Sequence, residues 1–111
     1  METLFYTEFD VNCIQILNEG RSEIRPTSSI RYELFVDTNY NDSGYHLHVR
    51  KKGESKDLFS INQDGSMHDE HLIQNSGFRF SKTFIKTIKE IQDLQKYNFQ
   101  WNNIPNNYLL N

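Results

Sequence analysis

Apolar and polar positions alternate most sharply in two runs of this chain. Ile30, Tyr32, Leu34 and Val36 occupy every second position, with Arg31, Glu33, Phe35 and Asp37 between them. Tyr45, Leu47 and Val49 repeat the pattern against His46, His48 and Arg50. In an extended chain period two sends each set to its own face. Between the runs, Thr38 to Gly44 contains Asn39, Asn41, Asp42, Ser43 and Gly44, residues whose side chains or backbone freedom favour turns. Two alternating runs across a polar loop predict an antiparallel hairpin. Its apolar set faces a core, and His46, His48 and Arg50 face away from it.

The rest of the chain reads around that hairpin. Leu4 to Phe9 suits a short strand. Asp10 is a plausible N-cap for a helix through Cys13, Ile14 and Leu17, which Gly20 would terminate, with Pro26 and Thr27-Ser28-Ser29 breaking any continuation. Asp57 to Asn62 reads as a further strand, and Asp64-Gly65 as a tight turn. Met67 to Gly77 is polar and reads as a loop with room for a short strand or a helical turn. Ser81 is the expected N-cap of a second helix, in which Phe84, Ile88, Ile91 and Gln95 form one stripe that Ile85 and Leu94 widen. Lys82, Lys86, Lys89, Glu90 and Asp93 would cover its solvent side. The helix should end near Tyr97 or Asn98, where Asn tolerates the left-handed conformation. The tail after Phe99 carries Trp101, Ile104, Pro105, Tyr108, Leu109 and Leu110, so it should pack back on the sheet or meet a partner. The sum is one α+β domain over residues 1–111. It has a small antiparallel sheet of three to four strands, an N-terminal helix, and a longer C-terminal amphipathic helix packed on one face.

Composition narrows the function classes. A chain of 111 residues suits a single core. Apolar residues are only 36% of it, but eight Phe and six Tyr can fill an interior with few, large rings. Cys13 is the only cysteine; with apolar neighbours it reads as a small buried hydrophobe in a reducing compartment. The first ten residues carry acid and no basic region, no apolar run approaches membrane length, and the expected location is the cytoplasm. A net charge of −3 argues against broad binding to a phosphate backbone. The charge is patchy. Glu2, Glu8, Asp10 and Glu19 stand without a base in the first twenty residues, whereas Arg50 to Lys56 holds Arg50, Lys51, Lys52 and Lys56 against Glu54. Such a surface suits a protein partner with complementary patches. There is no Gly-rich phosphate loop, nucleophile elbow or paired Cys, and no cofactor is expected.

Two polar clusters could carry chemistry. If the hairpin pairs, His46, His48 and Arg50 share a sheet face with Arg31, Glu33 and Asp37. There one His or Glu33 could take a ribose hydroxyl proton, another His could protonate the leaving oxygen, and Arg50 could stabilise a phosphorane. Alternation alone also puts polar residues on a solvated face, so that origin stands beside the catalytic one. The second cluster is His68-Asp69-Glu70-His71, whose imidazoles would share a helix face at i and i+3 and could bind a divalent metal given further ligands. As interface candidates the aromatic and charged residues Tyr40, Arg31, Asp37, Trp101 and Tyr108 stand out.

From Tyr45 to Pro105 the chain loosely resembles the ribonuclease-like C-terminal domains of bacterial polymorphic toxins and short toxin–antitoxin partner proteins. The outline carrying the likeness is the strand Tyr45-His46-Leu47-His48-Val49, the Asp64-Gly65 turn, and Lys96-Tyr97-Asn98-Phe99-Gln100-Trp101 before Ile104-Pro105. Those toxins are usually basic, which this chain is not, and Met1 reads as the start of a free-standing protein. The resemblance implies either a protein-binding member of a bacterial or phage conflict system, such as an immunity, antitoxin-like or defence-inhibitor protein, or a metal-independent ribonuclease using His46, His48, Arg50 and Glu33. A protein is the expected partner; RNA and a second copy of the chain stay open.

Overall fold

The computed structural model describes residues 2–13, 28–38 and 44–110, which form an α+β fold. Strands β1 (Glu2–Cys13), β2 (Ser28–Thr38), β3 (Tyr45–Lys51) and β4 (Phe59–Asn62) pair in chain order into one antiparallel sheet. Helices α1 (Glu70–Ser76), α2 (Lys82–Lys89) and α3 (Gln92–Gln95) follow, then two 3-10 turns at Trp101–Asn103 and Asn106–Tyr108.

The hairpin expected from alternation is β2–β3. Its register pairs Leu34 with Val49 and Val36 with Leu47, and β4 continues the rows with Phe59 opposite Val49 and Ile61 opposite Leu47. These six side chains are buried on one face, with Tyr32 beside them. Tyr45 belongs to the same face but sits at its rim, exposed, its ring edge-on to Tyr97 at 5.0 Å. The expected turn residues 39–43, Tyr40 among them, lie outside the described residues.

The N-terminal helix expected from Asp10 is corrected. Asp10 lies within β1, opposite Arg31, and the strand runs on to Cys13. Phe5, Thr7, Phe9 and Val11 repeat at period two, and Phe9 and Val11 are buried. A local capping preference is worth about 1 kcal/mol, which is less than burying those side chains and pairing the strand along β2. Ile14, Leu17, Gly20 and Pro26 lie outside the described residues.

The second helix begins as its sequence suggests: the Ser81 hydroxyl accepts from the Phe84 amide at 3.0 Å. It stops early. Ile91 is extended (φ −72°, ψ 104°), and α3 is a separate short turn. At about 100° per residue, a continuous helix would put Tyr97 about 140° around from Phe84, away from the sheet. The break at Ile91 lets Leu94 and Tyr97 both turn inward, where they are buried. Asn98 then takes φ 56°, the left-handed conformation foreseen for it.

The tail packs back. Trp101, Ile104 and Tyr108 join the core, and Leu109 bridges to Phe80, whose amide donates to the Tyr108 carbonyl at 2.8 Å. The turn after β4 seats this segment: the Gln100 amide donates to the Gln63 carbonyl, and the Gln63 side chain donates to the Tyr97 carbonyl at 2.6 Å. Gly65 has φ +93°, and a Cβ there would collide with the Gln100 carbonyl oxygen. Phe59, Phe78, Phe80 and Phe84 form the aromatic centre, with ring centroids 4.6 to 5.9 Å apart. Among the described residues no helix is long and apolar enough to cross a membrane.

Candidate functional site

The sheet face opposite the helices collects the polar members of all four strands. Register orders them in rows: Asp10 beside Arg31; Glu8, Glu33 and Arg50; Tyr6, Phe35, His48 and Ser60; and Asp37, His46 and Asn62. The expected catalytic residues His46, His48, Arg50 and Glu33 therefore do share one face, but the two ends of that face differ in character.

At the β3–β4 end the imidazoles are enclosed. His46 is 3% exposed and its ring lies 3.9 Å from that of His68. Both Nδ1 atoms approach Asn62 Oδ1, at 3.1 and 3.0 Å, and the Asn62 amide donates to Ser66 Oγ. His48 stacks on Phe35 with the rings 4.8 Å apart and nearly parallel. Its Nδ1 is 2.9 Å from Asp57 Oδ2 and its Nε2 is 3.3 Å from Asp37 Oδ2. A general base needs a ring nitrogen open to substrate, and His48 presents none. Ser60 stands opposite His48, so Ser, His and Asp line up across three strands. Ser60 is nevertheless fully buried and its Oγ has no hydrogen-bond partner among the described residues, nor has Asp37 Oδ1. That is no nucleophile–base pair.

At the β1–β2 end the face is open and laced with charge. The Arg31 guanidinium donates to Asp10 (3.0 and 3.2 Å) and lies 3.7 Å from Glu8; it is 55% exposed. Lys52 pairs with Glu8. The Tyr6 hydroxyl donates to Glu33 at 2.6 Å, with Glu8 at 3.1 Å. Arg50 lies over Phe35, 5.4 Å from the ring centroid, with Nε 3.7 Å from Glu33. Hydrogen bonds from Lys52 to Glu8, from Arg31 to Asp10 and from Tyr6 to Glu33 hold the three carboxyls below their ordinary range. In return Glu33, then Glu8, pushes Tyr6 up to about 12, while Asp10 raises Arg31 and Glu8 raises Lys52. Tyr6 is an exposed aromatic within this charged field.

Of the expected interface residues, Arg31 is on this open surface and Tyr40 is outside the described residues. Three are corrected. Asp37 is 2% exposed beside His48, and Trp101 and Tyr108 are core. Rings that large find more apolar area to bury against the sheet than in solvent, and the Tyr108 hydroxyl still reaches a partner, Glu70, at 3.0 Å.

The expected His68–His71 metal pair is not brought together on a helix. Asp69 between them is the extended N-cap of α1 (φ −139°, ψ 101°), so His68 lies on the approach to the helix and His71 within it. The i, i+3 geometry needs both inside. Among the described residues no group of three or more His, Cys, Asp or Glu is arranged to hold a metal ion.

Sequence reasoning missed Tyr6, Glu8 and Asp10 as members of this face, although Phe5-Thr7-Phe9-Val11 alternates in the same way as the hairpin. It also missed Asp57 and Asn62 around the imidazoles, for which sequence holds no signal; His68, expected as a metal ligand to be completed by His46 or His48, lies against His46. Searches of family models, curated proteins and solved structures found no match to this chain.

Proposed function

We propose that the chain is a small protein-binding domain acting by surface complementarity, with the open β1–β2 face as its contact surface, in the manner of an immunity, antitoxin-like or defence-inhibitor protein of a bacterial or phage conflict system. The observation that carries this reading is the contrast across the sheet: imidazoles enclosed and engaged at one end, and at the other an exposed aromatic, Tyr6, set among arginine, lysine and carboxylates. Aromatic and Arg side chains held in place by neighbours lose little entropy on binding and recur as interface anchors. Mixed charges around them supply orientation and selectivity.

The test is co-expression in bacteria with candidate toxins and defence systems. Protection that Tyr6→Ala with Arg31→Glu abolishes, in a variant whose circular dichroism is unchanged, supports the reading. Protection that survives the double change removes this face from it. The competing reading, a ribonuclease toxin using Glu33, His46, His48 and Arg50, draws on their shared face, with Glu33 directly opposite Arg50. It requires growth arrest and RNA fragmentation on expression of this chain alone, and tolerated high-level expression with intact RNA would eliminate it.

A further inference from the structure

Helix α2 carries a second surface of different character. Lys82, Lys86 and Lys89 follow one another at spacings of four and three, so they lie in one stripe about 60° wide and about 10 Å long. All three are exposed, opposite the buried Phe84 and Ile88. With the half-buried Ile85, and with Glu90 and Gln95, they line a groove of about 430 Å³.

Only part of this cationic stripe serves the helix itself: Lys86 and Lys89 stand in the last turn, where the backbone dipole favours cations, but Lys82 does not. Lys82 stands in the first turn, where the backbone dipole favours acid, and that turn holds no acidic residue. Lys82 and Lys86 are like charges at i and i+4, an arrangement that weakens a helix. None of the three lysines has an ion-pair partner within the described residues, although Arg31, Lys52 and Arg50 on the sheet face all do. Three ammonium groups against a single carboxylate in the lining, Glu90, leave this surface cationic around an apolar floor.

We infer that the α2 groove docks an acidic amphipathic helix of a protein partner, one with Asp or Glu at four-and-three spacing and an apolar side chain seated on Ile85. The inference rests on the protein-binding reading above and assigns it a second face. A peptide fits better than a nucleic acid because the floor offers Ile85 for an apolar contact that a phosphate backbone cannot use. Complementary helices exchange apolar anchors and flanking charges over this length.

The test titrates the full chain into a fluorescein-labelled 18-residue helical peptide with Glu at positions matching the stripe and a central Leu, read by fluorescence anisotropy. A charge-reversed peptide and a 20-nucleotide RNA run in parallel. Saturable binding is expected for the acidic peptide alone. Lys86→Glu with Lys89→Glu should weaken it at least tenfold, and Ile85→Ala severalfold at a salt concentration that screens simple charge attraction. Lys82→Glu separates binding from folding, since it should weaken binding while leaving the melting temperature equal or higher. No binding by the acidic peptide, tighter binding of the RNA, or insensitivity to Ile85→Ala would overturn the inference. None of these outcomes touches the Tyr6–Arg31 face, so the protein-binding reading stands or falls separately on its own variants.

Discussion

At the scale of the residue, His48 shows how a polar side chain on the outward face of a strand becomes part of the framework. Stacked on Phe35 and flanked by Asp37 and Asp57, it is the partner that two carboxylates depend on. His48→Leu should cost about 1–3 kcal/mol by leaving those acceptors unsatisfied, read as a shifted urea midpoint. The double variant His48→Leu, Asp37→Leu should recover part of that loss, because it removes the more buried of the two carboxylates and leaves only Asp57 without its partner. A single variant as stable as the parent would refute the supporting role. On the other face Phe84 meets Phe9, Tyr32, Phe59, Phe78 and Phe80. Phe84→Ala should cost about 3–5 kcal/mol, a large share of the roughly 5–15 kcal/mol typical of a domain, and calorimetry should find the variant unfolded or close to it.

At the scale of the element, two joints carry the C-terminal half. The Ser81 cap is worth about 1 kcal/mol, so Ser81→Ala should lower stability by that amount without altering the fold. The Asn62–Ser66 turn matters in a different way, because it is both the end of β4 and the seat of the tail. Gly65→Ala asks an L-residue to hold φ +93° and places a methyl against the Gln100 carbonyl. The expected result is a tail displaced from the turn, seen as a red shift and increased quenching of the fluorescence of Trp101, the only tryptophan. Unchanged emission from a folded Gly65→Ala protein would show that the turn does not seat the tail.

At the scale of the whole molecule, the pH dependence of stability follows from the open face. Glu8, Asp10 and Glu33 titrate lower in the folded chain than in the unfolded one, so their contribution is present above the ordinary carboxyl range of about 4 to 4.5 and is lost as pH falls through their folded values. Tyr6 is shifted the other way, to about 12. Its contribution is complete below the unfolded value near 10 and is lost as pH rises from there toward 12. Urea melts across pH should therefore show a plateau falling off at both ends. Tyr6→Phe should flatten the alkaline fall and soften the acidic one; an unchanged alkaline limb would mean that the Tyr6 hydroxyl does not couple to folding. Because these groups are exposed, high salt should shrink the effect.

Alternation in Ile30–Asp37 and Tyr45–Arg50 by itself determined the hairpin and which residues share each face, because a pleated strand allows its side chains only two directions, while the pairing of Leu34 with Val49 came from the structure. The Ser81 cap, the Asp64-Gly65 turn and the left-handed Asn98 were legible for the same kind of reason: each is a local demand of the backbone on its own residue. Tertiary structure alone decided three other matters. It made Asp10 part of a strand, since the burial of Phe9 and Val11 outweighs a capping preference. It broke the last helix at Ile91, since only a bent path puts Tyr97 against the sheet. It also decided that His46 and His48 are enclosed while Tyr6 and Arg31 are open, because period two assigns a side chain to a face, whereas the neighbours brought in from distant strands determine whether that face meets water.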